Sequence, residues 1–187
     1  MISKLNSMTK NPTSNHEIVL DKITKFPGLR FYELKKETGF ANGTLQHHVN
    51  TLVKLKKIDA HYDNAIPRYF LHNVDQTTKI IIQRLSQNTT SKIIKILLKK
   101  ECQTFAQLVK YTKKSPGTVS LYKNKMVEDK IIVGTTDGCK SCKERGNLKI
   151  KYKLTDPEKV RSLVLEYGKT SVRRSVDNLA DVFLSIK

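Results

Sequence analysis

Cys139-Lys-Ser-Cys142, His47-His48 and Cys102 are the residues of this 187-residue chain best suited to hold a metal or respond to an oxidant. Two cysteines separated by two residues make half of a zinc site. No second pair follows, and all five histidines lie in the first half of the chain. A closed zinc site would need Cys102, a residue from the first half or a second chain. Lys140, Lys143 and Arg145 crowd the pair and would favour thiolate, so redox sensing is the other sharp reading. The plain reading is three reduced thiols that do nothing. Adjacent histidines on a helix diverge, so His47 and His48 are expected to be a surface residue and a half-buried core residue, not joint metal ligands.

Nothing else in the chain has the spacing of catalysis. There is no Gly-rich phosphate loop and no nucleophile elbow, so no enzyme is expected. The charge is more telling. Thirty-five Lys and Arg against 17 Asp and Glu give +18, a field that favours a polyanion as partner. Residues 1–74 carry +5 of this and residues 75–187 carry +13. The start of the sequence lacks a signal-peptide core and no apolar run could span a bilayer, so a cytoplasmic protein is expected.

The elements that position these charges come in two copies. Leu29–Asp59 aligns with Gln103–Val133 without a gap, and ten of the 31 pairs are identical, among them Phe31/Phe105, Leu34/Leu108, Gly43/Gly117, Thr44/Thr118, Asn50/Asn124 and Ile58/Ile132. Within a copy, a first helix (His16–Lys25, stopped by Pro27-Gly28) precedes a short second one (Arg30–Thr38, ending near Gly39). A third starts near Asn42, with Leu45, Val49 and Leu52 along one face. The second copy launches its third helix from Ser115-Pro116, an N-cap and a first-turn proline, with Val119, Tyr122 and Met126 inward. Two helices about four residues apart, followed by β-like segments around Asn64-Ala65 and around the Cys139 tip, spell a helix-turn-helix with a hairpin wing.

LRFYELKKETGFANGTLQHHVNTLVKLKKI resembles the winged-helix, repressor-like regulators of archaea, whose third helix reads G-T-apolar-x-x-H-apolar ahead of a basic wing. The likeness extends to both copies, as in the tandem winged-helix subgroup. His48 falls on the family's histidine. Tyr122 stands there in the second copy, and Lys123 replaces the apolar Val49, a departure that requires its stem to snorkel. The expected class is α+β, mainly α with small β-hairpin wings: a winged helix-turn-helix domain over 1–74, a linker helix over 75–88, a second domain over 89–155 and C-terminal helices over 156–187.

With third helices in the major groove, the readers in the first copy are Asn42, Thr44, Gln46, His47 and Asn50. Those of the second are Thr118, Ser120, Leu121 and Asn124, with Lys125 near phosphate. Arg68, Lys140, Lys143, Arg145 and Lys149 are the expected wing contacts to the backbone. The function so implied is sequence-specific regulation of transcription by binding double-stranded DNA, without a cofactor unless zinc sits on Cys139, Cys142 and Cys102. The Ser171–Ile186 stripe (Val172, Val176, Leu179, Phe183) either packs on its own second domain or meets the same stripe of another chain, and a homodimer, which suits a palindromic site, is the expected arrangement. Two rivals keep the fold: a protein-interaction module of the transcription machinery, with an apolar third-helix face, and a sequence-neutral chromatin or RNA binder.

Overall fold

A computed structural model describes residues 14–136 and 149–171. The chain divides into two compact units, Met1–Val74 and Asp75–Lys187. The class is α+β, built from short helices and small antiparallel sheets.

In the first unit, helix α1 (Asn15–Lys25) starts where the Ser14 hydroxyl accepts the Glu17 N–H and the Glu17 carboxylate accepts the Ser14 N–H, a reciprocal cap that satisfies two orphan donors. Its buried residues are Val19 and Ile23. Gly28, at φ 82°, turns the chain into a two-residue strand, β1 (Leu29–Arg30), which runs straight into α2 (Phe31–Thr38). Gly39 ends α2 in the left-handed region at φ 73°. Helix α3 (Asn42–Lys54) then buries Leu45, Val49 and Leu52 along the expected face. The wing is β2 (Ile58–Asp63) and β3 (Ile66–Leu71), joined by Asn64-Ala65 with φ 49° and 65° at the two central positions, the backbone that a two-residue hairpin requires.

The second unit opens with α4 (Gln76–Leu85), capped by Asp75, and continues through α5 (Asn88–Lys99), β4 (Cys102–Thr104), α6 (Phe105–Thr112), α7 (Pro116–Glu128), β5 (Ile132–Thr135), β6 (Lys151–Leu154) and α8 (Pro157–Ser171). From α5 to β6 its element order is that of α1 to β3, and the sheets share one topology, β1-β3-β2 and β4-β6-β5. Residues paired in the sequence repeat do matching jobs. Leu34 and Leu108 are fully buried, as are Leu45 and Val119. Thr38 and Thr112 each bond back to the carbonyl four residues earlier, and Gly39 and Lys113 both end a helix at positive φ.

Three features differ from the sequence reading. Each wing is a three-stranded sheet and not a bare hairpin. The third strand, β1 or β4, is two or three residues long, too short to show periodicity, and its partner lies roughly 40 residues on in the first unit and roughly 50 in the second. Helix α4 packs with α5 and α8 in the second unit, where Ile81 joins the core of Ile93, Ile94, Leu97, Val160 and Val164. Helix α8 also continues past Gly168 to Ser171, so that glycine does not divide two helices. The Val172–Phe183 stripe lies outside the described residues.

Arg84 of α4 is buried, and its Nε donates to the Asp129 carboxylate at the end of α7 at 2.5 Å. The desolvation of such a pair makes it costly to break by removing one partner.

Candidate nucleic-acid interface

Burying Leu45, His48, Val49 and Leu52 leaves the other side of α3 to solvent. Asn42, Gly43, Thr44, Gln46, His47 and Asn50 are all exposed. The two amides are not independent: Gln46 Nε2 donates to Asn50 Oδ1 at 2.8 Å, one helical turn away, which fixes which groups of each still point outward. Gly43 takes ordinary helical backbone, and a Cβ built on it meets nothing within 4 Å. Gly117 at the matching position of α7 is equally open. Neither packing nor backbone strain within the chain calls for glycine there, although glycine weakens a helix by about 1 kcal/mol relative to alanine.

Helix α7 is a less uniform surface. Asn124 is exposed, while Thr118, Ser120 and Lys125 are half-buried. The Thr118 hydroxyl lies 2.8 Å from the Ser115 hydroxyl that caps the helix, so part of its bonding capacity is used locally. Leu121, at the position of His47, is 65% exposed. Lys123 snorkels as its replacement of Val49 requires: its Nζ reaches the Tyr152 hydroxyl of β6 at 3.3 Å and sits 5.0 Å from the ring centre.

Arg68 corrects the expected set. It is buried, and its Nη1 donates at 2.7 Å to the Gly28 carbonyl, tying β3 to the turn after α1. A side chain so enclosed cannot reach a phosphate. Among the described residues near the first wing, Lys54 at the end of α3 and Lys56 and Lys57 before β2 are exposed to solvent. In the second wing Lys149 and Lys153 are exposed and Lys151 half-buried. Lys140, Lys143 and Arg145 lie outside the described residues.

Cys139 and Cys142 also lie outside them. Cys102 opens β4, buried and disulfide-bonded, so the expectation of three free thiols fails there. A disulfide sulfur carries no thiolate charge and is no zinc ligand in that state. The histidines hold the larger surprise. His48 is buried and His47 exposed as expected, but His16 of α1 stands against both. His16 Nε2 and His48 Nδ1 are 3.3 Å apart. Burial, with His16 and His47 alongside, lowers the His48 pKa below its ordinary value.

A family model described as an N-terminal HTH domain matches residues 13–82, which span α1 to β3 of the first unit and run into α4 of the second. The first unit carries a helix-turn-helix. Such a domain points to DNA binding and, by that route, to transcription regulation. No curated protein matches the chain. No helix among the described residues is long and apolar enough to cross a membrane.

Proposed function

We propose that the protein is a sequence-specific regulator of transcription that binds double-stranded DNA through two tandem winged helix-turn-helix units and acts as a homodimer. The α3 helix lies in the major groove, the exposed lysines of the two wings hold the backbone, and Lys140, Lys143 and Arg145 add to that contact by their charge. The observation that carries this reading is the outward side of α3: polar from Asn42 to Asn50, with an amide pair set one turn apart and a glycine that nothing among the described residues requires. Side-chain amides of this kind suit the paired donor and acceptor of adenine, so the favoured sites are rich in A·T. The missing Cβ leaves room for a sugar-phosphate strand to come close to the first turn of the helix, where N–H groups point outward.

The second unit supports a further division of labour. Its larger charge suits phosphate contact, and Leu121 gives α7 an apolar tip where α3 carries His47. That exposed leucine favours a thymine methyl or a protein surface over a polar base edge, and it keeps the interaction-module reading open for α7. Competition binding separates these cases. The specific function requires an affinity for a selected duplex at least a thousandfold above that for random duplex at physiological salt. A ratio near one, with a steep salt slope, would identify a sequence-neutral binder instead.

A further inference from the structure

We infer that His16, His47 and His48 form a binding site for a divalent transition metal of the zinc class, holding the first turn of α1 to the second turn of α3. The candidate ligand atoms of the three imidazoles all lie within 4.8 Å of one another. The closest pair, His16 Nε2 and His48 Nδ1 at 3.3 Å, already has the separation of two nitrogens on one tetrahedral metal, about 3.3 Å for metal–nitrogen bonds of about 2.0–2.1 Å. The His16 and His48 rings, with centroids 4.3 Å apart, would have to swing apart to aim both nitrogens at one metal, and His47, exposed on the helix surface, would rotate toward them.

The donor set selects the metal. Three neutral imidazoles suit zinc, cobalt, nickel or copper over calcium and magnesium, which want oxygen. Three protein ligands would leave one position of a tetrahedral metal for water or another ligand. His48 is the anchor: it is buried in the face of α3, with its ring edge-on to His16, centroids 4.3 Å apart, and tilted against Phe40 at 5.9 Å. The ring nitrogens of His16 and His48 can also satisfy each other by a hydrogen bond, and the metal would replace that bond with two coordinate bonds. Because His16 is 32 residues from His48 in sequence, the ligand set joins two helices of the first unit and would stabilise it when occupied. The metal site stands on its own, whatever the protein binds. If α3 does read DNA, the metal would take His47 from the reading face and make affinity depend on metal supply.

Cobalt(II) titration of the reduced full-length chain tests the site, followed by visible absorption. The expected result is one tetrahedral cobalt per chain with nitrogen ligation and no sulfur-to-metal charge transfer. His16→Gln and His47→Gln, both at surface-accessible positions, should each weaken cobalt at least tenfold with the circular dichroism unchanged, and Cys139→Ser/Cys142→Ser should leave it untouched. Absence of binding, binding that survives both histidine variants, or binding lost with the cysteines would each overturn the proposal. None of these readouts involves DNA, so failure of the site and failure of the DNA-binding reading are separately visible.

Discussion

Replacing Gly43 with alanine should make the protein more stable and a worse DNA binder. Gly43 stands in the first turn of α3 with helical backbone, and a Cβ there meets nothing within 4 Å. The methyl group is therefore accommodated without strain, and the lost backbone freedom of the unfolded chain should stabilise the first unit by roughly 0.5–1 kcal/mol. For a unit of this size that is a rise in midpoint of about 2–8 °C, readable by circular dichroism. On DNA the same methyl would occupy the space left for the sugar-phosphate strand. A forced contact of that kind costs about 1–2 kcal/mol, hence a roughly 5- to 30-fold weaker complex with a selected duplex by fluorescence anisotropy. Stability and affinity would move in opposite directions, which simple damage to the fold cannot produce. Higher stability with unchanged affinity would refute the idea that the glycine is kept for close approach, and lower stability would refute the reading of its environment.

Arg68→Ala should destabilise the first unit by about 1–3 kcal/mol, since the Gly28 carbonyl loses its buried charged donor, while the salt dependence of DNA binding stays unchanged. A slope shallower by about one would mean that Arg68 touches phosphate after all. Lys113 ends α6 at φ 54°, where its repeat partner is Gly39 at φ 73°, so Lys113→Gly should raise stability by about 1 kcal/mol and Gly39→Lys should lower it by a similar amount, measured by urea unfolding. Asp75 caps α4, with Thr78 donating to both carboxylate oxygens and Lys159 beside it at 3.1 Å. The Thr78 hydroxyl is the main cause of a pKa held down at about 2, against which burial pulls upward. A depressed carboxylate stabilises above its unfolded pKa and loses that contribution as pH falls from about 4 to about 2. Asp75→Asn should thus cost a few tenths of a kcal/mol at pH 7, the carboxylate being largely solvated, and nothing near pH 2; an equal effect at both would contradict the assignment.

Several helices carry their own punctuation, whereas α3 and α5 start after Ala41 and Gln87 with no side-chain cap and are marked by their apolar spacing instead. Ser14, Asp75, Ser115 and Asp156 accept first-turn N–H groups, and Gly39 closes α2, so local chemistry alone marks those boundaries. Strands β1 and β4 were not readable, because a run of two or three residues has no period and its pairing is set by a strand far along the chain. The site shows the same division. Helical spacing alone separates Leu45 and Val49 from Gln46 and Asn50 on α3. Whether Arg68 faces water or the Gly28 carbonyl depends on which strand lies beside β3, and that information is 40 residues away. His16 stayed hidden for the same reason. Adjacent His47 and His48 do diverge along α3, and only the packing of α1 on α3 brings a third imidazole to them.

Selection of random duplexes by the purified full-length protein, at near-physiological salt, is the most direct test of sequence-specific recognition. An enriched motif is expected, leaning to A·T where α3 docks, and Gln46→Ala with Asn50→Ala should erase discrimination at one or two positions by about 1–3 kcal/mol each while leaving nonspecific binding intact. Uniform recovery of all sequences, or a motif unmoved by both substitutions, would contradict a role for α3 as the reading helix.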